Sequence, residues 1–236
     1  MIAISQPTFF PWIGYFDLID QVELFVVLDD VDFSKQSWQQ RNKFKTTKSL
    51  EWFTIPVKIV SSRKINRIEI FNRIRLSKKF KNFVKTNYSK STYFENYSED
   101  IFKIFDKALE ENNLAKFNLK IIKFCLKLLN IKTKIELSSE ANIKKKRSEK
   151  ITEICKLYKK DRYLSSYGAK DYLEEDKNIF EREKIKVFLH NYHHPEYNQL
   201  NPPFKSNASI LDLIFNEGKN SLNIIKKGRK ECIKLY

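Results

Sequence analysis

Gln6-Pro7 follows the apolar run Ile2–Ser5, and Asp29-Asp30 follows "ELFVVL", so each pair of polar residues ends a strand-like segment. A Gln amide in such a place offers a ligand both a donor and an acceptor, or it ties down a neighbouring loop. Asp29, Asp30 and Asp32 carry the chemistry of a divalent-cation site, a sugar-hydroxyl acceptor or a general base, and equally of ordinary turn and cap residues. Arg41-Asn42 beside Trp38 joins a planar cation, an amide and an aromatic plane, a set that grips phosphate or stacks on a base. His190, His193 and His194 are the whole histidine supply. His193 and His194 point apart on extended backbone and do not chelate one ion. His194 precedes Pro195 and is held extended, with Tyr197 and Gln199 following, so it is read as a general base or a ligand contact, against a loop-packing role. Ser165 and Ser166 come between a strand and a helix, where amide groups gather anions. They are expected to bind rather than to attack, since G-x-S-x-G is absent. Ser209 and Asp212 look catalytic, yet Ser-x-x-Asp before an apolar run is first a helix-capping pattern.

The elements that must position these residues can be read from periodicity. Ile2–Ser5 predicts a strand, Pro11 to Val22 a helix, and "ELFVVLDD" a second strand. A strand–helix–strand unit this compact makes a parallel sheet and carries ligands at the strands' carboxyl ends. Strand-like segments around a turn at Lys45–Ser49, then "KINRIEIF", predict an antiparallel portion near residues 31–70. Helical stripes follow over 77–88, 101–109 and 119–129. "TKIELSS", a helix over 147–158, "DRYLSSYGAKDYLEE" and "IKVFLH" resume the alternation. "SILDLIFNEG" predicts a helix that Gly218 ends. The expectation is one α/β domain over 1–236, with a mostly parallel sheet of Rossmann-like type and a helical insertion at about 76–130.

The totals narrow the class. The 236 residues are 42% hydrophobic and 14% aromatic, which excludes a disordered chain. Four glycines leave no Walker or G-x-G-x-x-G loop. No leader and no membrane span are read, and Cys125, Cys155 and Cys232 are widely spaced, so a cytoplasmic protein with reduced thiols, no bound metal and no membrane insertion is expected. The net charge of +16 is unevenly placed: residues 1–34 hold six acids and no Lys or Arg, whereas residues 35–90 hold sixteen cations against Glu51 and Glu69. A concentrated basic segment marks an anionic ligand such as a nucleotide, a sugar diphosphate or RNA. Lysine-rich composition from A/T-rich coding gives the same totals, and only 9 of the 45 cations are Arg.

"QPTFFPWIGYFDLI", "ELFVVLDDVDFSKQSWQQRNKFK", "WFTIPV", "YLSSYGAKDYL", "HPEYNQL" and "SILDLIFNEG" together resemble the WbqC-like family, in order and over nearly the whole chain. Departures are Ser5 where the family often has His, Gln40-Arg41-Asn42 for its Asn-Arg-Asn, and Ser165-Ser166 for its Ser-Gly. Membership implies a role in surface-polysaccharide (O-antigen) biosynthesis. The expected reaction is N-acylation or N-aminoacylation of a nucleotide-linked amino sugar, with no tightly bound cofactor. The donor would be an acyl or aminoacyl group on an unknown carrier, an acyl-carrier protein or charged tRNA. The alternatives are a non-catalytic sugar-nucleotide-binding or scaffold protein of the same pathway, and a metal-dependent hydrolase or epimerase at the Asp and His groups. The resemblance implies His194 or Asp30 as base and Gln6, Asn42 and Gln199 as polar grip. Arg41 with neighbouring lysines is the expected diphosphate clamp, and Pro7, Tyr15, Ser165, Ser166, Tyr172, Tyr197, Ser209 and Asp212 are further substrate contacts. Gln6, Asp30, Asn42 and Tyr197 should then line a single shared pocket.

Overall fold

A computed structural model describes residues 1–236. The leading unit is β1 (Ile2–Ser5), α1 (Ile13–Asp20) and β2 (Leu24–Val27), with β1 and β2 parallel and in register from Ile2–Leu24 to Ser5–Val27. Two antiparallel hairpins follow, β3 (Arg41–Lys45) with β4 (Leu50–Thr54), and β5 (Val57–Ile59) with β6 (Ile68–Ile70). Then come α2 (Arg73–Tyr88), α3 (Phe94–Leu109) and α4 (Leu114–Leu128). The sheet resumes with β7 (Lys134–Leu137), α5 (Arg147–Leu157), β8 (Arg162–Ser166), α6 (Lys170–Glu175), α7 (Lys177–Arg182) and β9 (Lys186–His190). The chain closes with α8 (Ile210–Glu217), α9 (Ser221–Lys227) and β10 (Ile233–Lys234).

The six-stranded sheet has the order β10-β9-β8-β1-β2-β7, all parallel except the edge strand β10. From β1 the chain builds outward to β2 and β7, then returns to lay β8 and β9 on β1's other side. The order therefore reverses between β1 and β8, and in such sheets a ligand crevice opens beyond the carboxyl ends at that reversal. This is the mostly parallel α/β sheet the sequence predicts.

Alternation along the strands explains the three layers. Ala3, Phe25, Val27 and Leu164 face one core, while Ile2, Ile4, Leu24, Val26 and Tyr163 face the other. The smaller core is closed by Ile151 and Ile154 of α5, Leu173 of α6 and Phe180 of α7. The larger one is aromatic. Phe9 packs its ring against Phe44, Phe53, Phe80, Phe105 and Phe117 at centroid distances of 6.0–6.4 Å, and so ties the β3–β4 hairpin and α2–α4 to the sheet. Each such aromatic pair adds about 0.5–1.5 kcal/mol beyond the area it buries.

Four local predictions are corrected. Residues 31–40 are turns rather than strand, because Gln39 and Gln40 side chains accept from the backbone N–H groups of Ser34 and Gln36, and Gln36 takes φ +57°. The segment 50–60 divides into β4 and β5 at Pro56, which lacks the N–H a continuous ladder needs. The second apolar run stops short of the aspartates, so β2 ends at Val27. The basic tail after α9 contains β10, a strand too short for its pattern to show. Gly218 ends α8 as expected: it has φ +52°, and an added Cβ would meet the Tyr93 ring at 2.7 Å. No helix is long and apolar enough to cross a membrane.

Candidate functional site

A cavity of about 550 Å³ opens at the carboxyl ends of β1 and β2, under the start of α5. Gln6, Leu28, Asp30, Val31 and Asp32 come from the strand ends, Lys64 from the turn before β6, and Tyr172 from α6. The remaining wall is the run 143–147 with Lys150 and Ile151 of α5. The lining carries six cations against two carboxylates. Lys150 is answered by Asp30 at 2.5 Å and Lys145 by Glu149 at 3.5 Å. Lys64, Lys144, Lys146 and Arg147 are exposed, and none forms an ion pair.

Electrostatics makes this arrangement unusual. The amino end of a helix carries partial positive charge, so cations gathered there are unfavourable unless an anion joins them. Lys146 caps α5 with no side-chain bond, so the first-turn N–H groups add to the same field. The chemistry the cavity offers is multidentate capture of a phosphate-like anion.

The paired aspartates support this wall without presenting bare charge. Asp29 is buried and accepts from the Ser139 N–H at 3.0 Å and the Ser139 hydroxyl at 2.7 Å. Asp30 accepts from the Ser138 hydroxyl and from Lys150 Nζ, each at 2.5 Å. Their role in the fold is to clasp the end of β7 and to fix Lys150. No three His, Cys, Asp or Glu side chains converge as a metal-ligand set. Asp32 also lines the cavity and has no ion pair. Gln6 does two jobs: its Oε1 accepts from Gln39 Nε2 at 2.7 Å, while its amide nitrogen has no protein partner at the cavity wall. Tyr15, whose hydroxyl burial pushes far above its usual range, donates to the Gln6 carbonyl at 3.1 Å and so positions the loop from within.

The single shared pocket expected from the sequence is not what the fold builds. Gln6, Asp30 and Tyr172 meet at the cavity, while Asn42 and Tyr197 do not line it. Asn42 is 1% exposed and donates to the carbonyls of Phe9 and Phe10, at 3.0 and 2.5 Å. It holds Phe10 at φ +37°, an uncommon angle for a bulky residue, so its amide is used up inside the protein. Pro7 is buried beside it, with its carbonyl bonded to Asn118. Arg41 lies on the outer face of the first hairpin, its guanidinium 4.1 Å from the Trp52 ring centroid.

Tyr197, Gln199, Ser209 and Asp212 form a second group. Asp212 is fully enclosed and accepts from the Tyr197 hydroxyl and from Gln199 Nε2, both at 2.7 Å. Tyr88 turns its hydroxyl toward this carboxylate without closing a well-aligned bond, so the Tyr88 hydroxyl and Asp212 Oδ1 are left unsatisfied. Burial is the main cause pushing Asp212 up to about 6, against the bonds from Tyr197 and Gln199 that lower it. Ser209 caps α8, accepting from the Leu211 N–H at 3.4 Å, and donates to the Phe10 carbonyl. His194 stacks on Trp12 and Tyr197, and its Nδ1 lies 2.9 Å from the Pro195 carbonyl. Burial holds its pKa below the usual imidazole value, and its Nε2 is enclosed with no partner. His190 is bonded to the buried Asp17 at 2.7 Å and His193 is exposed. Ser165 is buried with Tyr163 donating to it, and Ser166 is exposed ahead of a short helix. Neither serine lines the cavity; the helix end found there belongs to α5.

Sequence reasoning passed over the cations of the cavity. The signal was present in "IKKKRSEK", where four basic residues run straight into a helix start, at the end of the helix that repels them.

Comparison with known proteins adds kinship. No solved structure matches the chain. The uncharacterized protein Rv1507c of Mycobacterium tuberculosis (strain ATCC 25618 / H37Rv) is 30% identical over 234 residues, covering 97% of this chain and 99% of that protein. The WbqC-like protein family matches residues 6–224. With the match spanning both the cavity and the second group, the chain belongs to the WbqC-like protein family.

Proposed function

We propose that the cavity binds a nucleotide-linked amino sugar through its diphosphate and presents the sugar's amine for N-acylation or N-aminoacylation, in bacterial surface-polysaccharide biosynthesis. The observation that carries this reading is the convergence of Lys64, Lys144, Lys146 and Arg147, none ion-paired, on the open amino end of α5 beyond the carboxyl ends of β1 and β2. Charge-assisted bonds from several cations suit two adjacent phosphates, and the apolar remainder of the wall suits a base or sugar ring. In the transfer, the amine nitrogen attacks the carbonyl carbon of a thioester or ester donor. A C–N bond forms, the C–S or C–O bond breaks, and the departing thiolate or alkoxide takes up the proton the amine releases. Asp30 and Asp32 are the carboxylates at hand to pass that proton, and Asp32 is the one without a lysine partner.

A second reading, binding without turnover in the same pathway, is favoured by one specific observation: Asp30 is already committed to Lys150 and Ser138. One experiment separates the two. The protein is incubated with a nucleotide-linked amino sugar and an acyl or aminoacyl donor, and the sugar's mass is followed. Gain of an acyl mass, lost in Asp30→Asn or Asp32→Asn while a ligand-induced rise in melting temperature persists, supports transfer. Binding with no mass gain supports the second reading. No thermal response to any nucleotide sugar removes both.

A further inference from the structure

The outer face of the β3–β4 hairpin has no partner within the molecule and an unusual surface. Trp38 and Trp52 are 44% and 41% exposed, with ring centroids 5.0 Å apart. Arg41 lies 4.1 Å and Lys43 5.1 Å from the Trp52 ring centroid. Arg41 Nε is buried and has no acceptor, so the guanidinium is held on the indole by packing rather than by a carboxylate. Beside this face is a cleft of about 290 Å³, floored by Phe33, Val57 and Ile59 and rimmed by Lys35, Gln36 and Gln40. Residues 35–59, which build this surface, hold six cations against Glu51.

We infer that this face binds single-stranded RNA, with bases stacked on Trp38 and Trp52, a base in the adjoining cleft, and phosphates on Arg41, Lys43 and Lys35. Large indole planes are costly to expose without use, and every base has a face that stacks on them. Exposed indole edges and faces with cations against them suit a strand that offers unpaired bases and phosphates together, whereas a duplex hides its base faces. Charge complementarity selects the polyanion over an apolar protein surface. The platform also adjoins the cavity. The Phe9 N–H donates to the Trp38 carbonyl at 2.9 Å, and Gln39, the next residue, donates to Gln6 on the cavity wall.

This inference is independent of what the cavity binds, and the test keeps the two apart. Indole fluorescence is titrated with a twelve-nucleotide single-stranded RNA, a duplex RNA of equal length and inorganic polyphosphate. The single strand should quench fluorescence and bind tightest, with affinity falling steeply as salt rises. Trp52→Ala and Trp38→Ala should each weaken it about tenfold, while Trp52→Phe retains most of the affinity. The melting-temperature rise given by a nucleotide sugar should be unchanged in all three variants. Equal binding of polyphosphate and RNA, or full affinity in both alanine variants, overturns the stacking platform. No binding of nucleic acid at low salt overturns the proposal and points to a protein partner on this face.

Discussion

At the ends of β1 and β2, Asp30 meets Lys150 at 2.5 Å and four more cations stand at the cavity without carboxylate partners. Around Asp212 a carboxylate is fully enclosed, met by one hydroxyl and one amide, with one oxygen left unsatisfied. The first region pairs its acid with a lysine and leaves surplus positive charge for a ligand. The second makes ionisation costly and closes its carboxylate off from solvent. Two aspartates thus serve different ends, because solvent access and partner charge decide what a carboxylate can do.

The comparison breaks most readily at Lys150. Lys150→Met leaves the largely buried Asp30 without its ion-pair partner, and should cost about 3–5 kcal/mol in urea unfolding. Adding Asp30→Asn to it should restore much of that loss, since the stranded charge is gone. A single variant as stable as the native chain would show that the pair does not hold this wall.

The Asp212 cluster predicts a pH dependence of known sign. Its folded pKa, pushed up to about 6, exceeds the ordinary carboxylate value of 3.8. Between those values the unfolded chain releases its proton first, so this group removes stability as pH rises from about 4 to 6 and levels off above. Native protein minus Asp212→Asn should show that slope, amounting to roughly 3 kcal/mol at most. A flat difference across the range would place Asp212 in a wetter site than the geometry gives.

Asn42 sharpens the contrast, because it sits in neither group. Asn42→Ala should lower stability by about 1–3 kcal/mol through the freed carbonyls of Phe9 and Phe10, with nucleotide-sugar affinity unchanged in calorimetry. A selective loss of affinity would return Asn42 to a ligand-contact role. The smallest change in stability is expected for Lys146→Ala with Arg147→Ala, within about 0.5 kcal/mol, since both are exposed. Anion affinity in the same variant should fall about tenfold or more, one such step being worth 1.4 kcal/mol.

The parallel sheet was legible because strand alternation and helical spacing are local, and Gly218 announced its helix end. The turns at 31–40 were not, since the Gln39 and Gln40 side chains that satisfy that backbone look like strand residues in a string. Gln6, Asp30 and Tyr172 reached the cavity because strand and helix ends are placed by topology, which periodicity conveys. Asn42 and Tyr197 were misplaced because an amide that grips a ligand and one that pins a carbonyl are the same residue. Only distance to the aromatic core separates them.

By itself the sequence determined the alternating elements, the basic middle and the polar residues at strand ends, all of which follow from composition and from periods of two and 3.6. The tertiary structure alone decided which charges meet. Lys150 reaches Asp30 across 120 residues of chain, and Tyr88, Tyr197 and Asp212 gather from three separate segments. Pairing and burial depend on packing between distant segments, and no local pattern encodes them.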